Sequence, residues 1–124
     1  MDDKFNGTSI LHERDVDGVI ILTVKRGLKG EGEATLKERL DSLVRTGHPR
    51  ILIDMKYLPH LDSTEIGRLI RCHLSVRQAG GRVRLCNISD RLKGLLKMTR
   101  LDTVLDLFPT EEVALESFRN SRHQ

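Results

Sequence analysis

The chain has 124 residues, 38% apolar and 31% charged, with three Phe, one Tyr and no Trp. That length fits one domain able to bury a core without staples, and the core must rest on Leu, Ile and Val. A net charge of only +3, with no stacking aromatics interleaved among the basic residues, argues against a nucleic-acid-binding platform.

Residues 1–8 are polar and end in Asn6-Gly7-Thr8, a mobile start or a turn. Residues 9–14 partly alternate, and Asp17-Gly18 is a strong turn signal before Val19-Ile20-Ile21-Leu22-Thr23-Val24. This pattern predicts a β-hairpin turning near residues 15–18, because the β-branched second arm disfavours a helix. Gly27, Gly30 and Gly32 lack the spacing of a phosphate-binding loop and read as a connection. From Ala34, the spacing of Leu36, Leu40, Leu43 and Val44 predicts a helix that Gly47-His48-Pro49 ends.

Ile51-Leu52-Ile53-Asp54-Met55 reads as a central strand covered on both faces. Tyr57, Leu58 and Leu61 are expected to pack beneath the following loop. A second helix is predicted from about Ser63 to Gln78, with Ile66, Leu69, Ile70 and His73 or Leu74 along it, stopped by Gly80-Gly81. Residues 82–88 alternate as the next strand. Ser89 or Asp90 caps a third helix whose Leu92, Leu95, Leu96 and Met98 are expected to fill the core. Residues 104–108 form a terminal strand, and Thr110 caps a last helix burying Val113, Ala114, Leu115 and Phe118. The predicted fold is a single α/β domain of order β-β-α-β-α-β-α-β-α, spanning residues 1–124 with its core at about 9–118. Its sheet is mixed but mostly parallel, with helices mainly on one face and a right-handed crossover from strand 51–55 to strand 82–88.

Charge is unevenly placed. Arg82, Arg84, Arg91, Lys93, Lys97 and Arg100 precede a stretch, 101–116, with five acids and no Lys or Arg. A basic face of this kind suits an acidic protein or a phosphate. Cys72 and Cys86 form no Cys-x-x-Cys pair and read as reduced thiols of an intracellular protein. With neither a signal core nor an apolar run of spanning length, a cytoplasmic protein without a membrane span is expected.

Asp62-Ser63-Thr64-Glu65 opens the second helix directly after the central strand. The first N–H groups of a helix lack carbonyl partners and favour negative charge there. Asp62 and Glu65 stand at capping-box spacing, which by itself accounts for both. A phosphate on a hydroxyl here would be favoured by the helix end and repelled by the two acids, so it could reject a partner without unfolding the domain.

From residues 9 to 118 the chain resembles the bacterial anti-sigma-factor antagonists, members of the wider STAS domain family. The resemblance is carried by Leu61-Asp62-Ser63-Thr64-Glu65-Ile66-Gly67, with the Leu36 helix, Ile51–Asp54, and Gly80-Gly81 before Val83–Ile88. It implies that Ser63 is phosphorylated by an anti-sigma factor with serine kinase activity, that the unphosphorylated chain binds this kinase, and that a phosphatase resets it. It places Asp62 beside the acceptor and Thr64 on the docking surface. Glu65 stands where the family segment carries glycine, and Arg26 and Lys29 where a glycine and an acid are frequent. With Lys29, Glu65 and His60 included, the expected partner-binding residues are Asp62, Thr64, Glu65, Lys29 and His60.

The resemblance implies a regulatory protein with no catalytic residues and no cofactor, ATP belonging to the kinase. The five histidines show no metal-ligand spacing, and His60, Asp62 and Ser63 do not form a nucleophile elbow. Asp54 lacks the acidic cluster that phosphotransfer needs and reads as structural. A non-switching STAS scaffold, or an accessory subunit of a signalling or transport complex, is the alternative.

Overall fold

The hairpin forms around Asp17 and Gly18, whose φ angles of 52° and 84° match the twist of a two-residue turn between strands. The Gly18 N–H donates to Asp15 Oδ1 at 3.1 Å, and a Cβ at Gly18 would sit 2.7 Å from Arg50 Nη2. The left-handed φ favours glycine at this position, and any side chain there would also displace the end of Arg50. The flanking strands are β1 (Leu11–Val16) and β2 (Val19–Val24), paired antiparallel. The computed structural model describes residues 11–25, 31–47 and 50–120.

Beyond the hairpin follow α1 (Glu31–Arg45), β3 (Arg50–Asp54), α2 (Ser63–Gln78), β4 (Arg82–Cys86), α3 (Asp90–Met98), a single 3-10 turn at Leu101–Thr103, β5 (Asp106–Phe108) and α4 (Glu111–Asn120). The sheet runs β1-β2-β3-β4-β5, with every pair after the first parallel. Registers such as Ile51↔Val83 and Ile53↔Leu85 fix the β3–β4 pair that α2 connects. The predicted α/β fold and its element order hold.

All six residues of β2 are buried because both faces of the sheet are covered. Ile20, Leu22, Val24, Ile51, Ile53, Val83 and Leu85 belong to one core with residues of α1, α2 and α3. Val19, Ile21, Leu52 and Cys86 meet Ala114 and Phe118 of α4 in a second, smaller core. Arg84 fastens α4 from the sheet: its Nη1 donates to Ser117 Oγ at 3.0 Å, and its guanidinium lies 4.5 Å from the Phe118 ring centroid. Edge strand β1 is strapped on both sides. Arg39 of α1 donates to both oxygens of Glu13, at 2.5 and 2.6 Å, and Arg14 donates to Glu111 of α4 at 2.5 Å. The Glu13 hydrogen bond raises the Arg39 pKa further above its usual range. These charged side chains also blunt the free edge against pairing with another chain.

The structure moves several boundaries. The first helix starts at Glu31, three residues before the expected start at Ala34. Strand β4 stops at Cys86 because Asn87 turns to a left-handed φ of 59°. A left-handed Arg100 begins the 3-10 turn that shortens the last strand to three residues. Tyr57, Leu95, Met98 and Val113, expected inside, are exposed, whereas Leu58, Leu61, Leu92, Leu96, Ala114 and Phe118 are buried.

His73, rather than Leu74, is the inward residue of α2, and neither ring nitrogen has a hydrogen-bond partner among the described residues. A buried polar group left unpaired costs free energy that an apolar residue of similar size does not incur. His73→Leu should therefore raise the urea midpoint, by about 1 kcal/mol of stability, while His73→Ala should lower it by opening a cavity. Denaturation followed by circular dichroism tests both signs.

Candidate functional site

The site begins with Asp54, the last residue of β3, whose side chain is buried. Its Oδ1 accepts from the Lys56 N–H and from Asn87 Nδ2, each at 3.0 Å. Its Oδ2 makes no hydrogen bond to a described residue but lies 3.4 Å from Lys56 Nζ. The Met55 N–H donates to Cys86 O at 2.9 Å. The carboxyl ends of β3 and β4 are thereby locked together, with the chain leaving β3 in a fixed direction. Leu58 donates its N–H to Met55 O at 2.9 Å, and buried Leu58 and Leu61 pin the loop that delivers Asp62.

Asp62 is extended, at φ −87° and ψ 176°, and caps α2. Its Oδ1 accepts from the Glu65 N–H at 2.8 Å, and Glu65 Oε1 accepts from the Asp62 N–H at 3.2 Å. This is the reciprocal capping box that the residue spacing predicts. Glu65 is only 8% exposed, so its carboxylate turns back into the helix end rather than out beside Ser63. Ser63 and Thr64, the first two helical residues, are exposed, as are Asp62 and His60. Lys29 lies outside the described residues.

An open groove of about 780 Å³ adjoins this corner, with His60, Asp62 and Glu65 on one wall and Arg91, Leu95 and Met98 of α3 on the other. Ser89 couples the walls: its Oγ accepts the Leu92 N–H at 3.1 Å, capping α3, and donates to Pro59 O at 2.8 Å. A cleft of about 360 Å³ between α1 and α2, against Lys37, Arg68 and Arg71, shares no residue with the groove. Sequence reasoning missed the groove because it assigned Leu95 and Met98 to the core. The available signal was the spacing of Arg91, Leu95 and Met98, a stripe offset from the Leu92 and Leu96 stripe on the same helix.

Cys86 supplies no nucleophile here. Burial, then the charges of Asp54 and Glu111, push its thiol up to about 12, so it stays protonated at neutral pH. Among the described residues, no group of three or more His, Cys, Asp or Glu is placed to hold a metal ion. No helix among them is long and apolar enough to cross a membrane.

The STAS domain family model matches residues 13–114. A Thermotoga neapolitana protein, named as a homolog of the anti-sigma factor antagonist TM1081, is 28% identical over 102 residues, 82% of this chain and 90% of that one. A Thermotoga maritima protein named as an anti-sigma factor antagonist is 25% identical over 105 residues, 84% of this chain and 93% of that one. The crystal structure of the Thermotoga maritima anti-sigma factor antagonist TM1081 is similar in fold, with a TM-score of 0.75 at 24% identity. It covers 86% of this chain and 92% of its own.

Two measurements check the site. Asp62→Ala should cost about 1 kcal/mol through the lost cap, whereas Ser63→Ala should stay within about 0.5 kcal/mol of the native chain because the side chain is exposed. Urea denaturation compares them. A thiol reagent at pH 8 should label Cys72 in the folded chain and Cys86 only after unfolding, as read by peptide mass spectrometry.

Proposed function

This chain belongs to the STAS domain family, and on that premise we propose that it is an anti-sigma-factor antagonist switched by phosphorylation of Ser63. The observation that carries the proposal is the exposed Ser63 at the first position of α2, beside a capping box that already employs Asp62 and Glu65. The hydroxyl is open to a kinase, and the helix end has its cap without a phosphate. Unphosphorylated, the chain binds an anti-sigma factor with serine kinase activity and thereby frees a sigma factor. Asp62, Thr64 and His60 meet the partner, with Lys29 and the accessible part of Glu65 alongside.

Phosphorylation places about −1.5 to −2 charge on this corner. Asp62 is exposed next to it, so an acidic or close-packed partner is repelled and released. The event is confined to the exposed start of α2, and the two cores behind it keep their packing. A separate phosphatase restores the binding form. In this reading the domain extends over residues 1–124, acts in the cytoplasm, and is a kinase substrate without an active site or cofactor of its own.

Glu65 supports a second reading, a non-switching scaffold or accessory subunit, because it puts an acid two residues from the acceptor, where the family segment carries glycine. Incubation with a serine-kinase anti-sigma factor encoded beside this chain, together with ATP, separates the two. Intact-mass analysis should find one phosphate on the native chain and none on Ser63→Ala. An unmodified native chain that still binds the active kinase would favour the scaffold.

A further inference from the structure

The chain leaves β3 and β4 side by side, and cross-links tie the two exits together. The Met55 N–H donates to Cys86 O at 2.9 Å, Asn87 Nδ2 donates to Asp54 Oδ1 at 3.0 Å, and Ser89 Oγ donates to Pro59 O at 2.8 Å. The first two stand at the ends of the strands. The third reaches past them, from the N-cap of α3 to the loop that delivers Ser63. That loop is anchored by buried Leu58 and Leu61, and Pro59 and His60 lie exposed between these anchors. Proline has no N–H, which leaves the carbonyl as the backbone group by which Pro59 can be held.

We infer that Ser89 is a positioning residue for the phosphorylation corner: its hydroxyl holds Pro59, and with it His60 and Asp62, in the conformation that the kinase partner reads. The inference rests on the Ser63 reading and adds to it a residue from the start of another helix. A hydroxyl can accept and donate at once, and half-buried Ser89 does both. It accepts the Leu92 N–H at 3.1 Å, so α3 fixes the oxygen whose proton goes to the loop. The backbone supports the same aim. Asn87 takes a left-handed φ of 59° while its amide holds Asp54, and Ser89 follows extended at φ −66° and ψ 155°. Ordering a recognition loop before its partner arrives reduces the entropy that binding must lose. The Ser89 bond therefore acts on how tightly the kinase engages the chain, rather than on the transfer of phosphate to Ser63.

Substitution separates the donor and acceptor halves of this hydroxyl. Ser89→Thr keeps both. Ser89→Asp keeps a good helix cap, but its carboxylate has no proton for Pro59 O, and Ser89→Gly removes the side chain at little cost to the cap. These two variants differ in charge, so an effect common to both is not electrostatic. The probe is the serine-kinase anti-sigma factor with ATP, the rate of Ser63 phosphorylation being followed by intact mass. KM for the chain should rise about threefold or more in Ser89→Asp and Ser89→Gly, while kcat stays within about twofold and Ser89→Thr matches the native chain. Hydrogen exchange over residues 60–62, measured without the kinase, should quicken in the same two variants. Urea midpoints set conditions under which every variant is fully folded, so global stability moves neither readout. Native KM or native exchange in the Asp and Gly variants overturns the positioning role and leaves the Ser63 reading standing. A rise confined to one of them, or shared equally by Ser89→Thr, overturns it as well. A native chain that accepts no phosphate overturns the Ser63 reading and the positioning role with it.

Discussion

Burying the Asp54 carboxylate at the end of the central strand is the constraint on which the site depends. A carboxylate removed from water is strongly disfavoured unless its oxygens are supplied with donors or an opposite charge. The fold supplies both, and each partner has a structural consequence. The Lys56 N–H and Nζ bend the chain out of β3 into the loop before α2, and Asn87 adopts a left-handed backbone as its amide reaches the same oxygen. The loop and the end of β4 are thus built around one buried group. Ser63 inherits its position from an interaction nine residues earlier in the chain.

The helix start solves a separate problem with the same economy of parts. Its unpaired N–H groups would attract an anion, and two side chains of the chain itself satisfy two of them. A phosphate added to Ser63 would arrive at a cap already in place, so its main effect falls on what approaches from outside. That division suits a signal carried on a domain whose packing stays constant between the two states. The groove along α3 adjoins this corner and adds the exposed apolar side chains of Leu95 and Met98 beside it.

Much of this was legible in the residues. The bounds of α2, the capping box, the Asp17-Gly18 turn and the β-branched arm of β2 follow from rules that need no tertiary context. The exposed stripe of α3 did not, because helical periodicity marks apolar residues without saying which stripe meets the sheet. Leu92 and Leu95 differ only in angle around the axis. Tyr57 lies outside for a related reason: an aromatic ring can serve at the surface when cations cover it, and Lys25 Nζ lies 4.2 Å from its centroid. The shortened β4 reflects Asn87 answering Asp54, a pairing 33 residues apart that local propensity does not encode. The family segment around Ser63 identified the candidate acceptor, and its mechanical support became visible only in the fold.

The strand order β1-β2-β3-β4-β5 also governs how the chain can be assembled. Each strand adds to the edge left by the one before, so the sheet can grow in the direction of synthesis without threading a strand between two others. The second face is different. Val19, Ile21, Leu52 and Cys86 are present early but receive Ala114 and Phe118 only from the last helix. Until α4 docks, a nascent chain presents that apolar face to water, the kind of surface on which partly folded chains aggregate. Docking of α4 is what covers this face, and α4 follows the Ser63 corner in the order of synthesis.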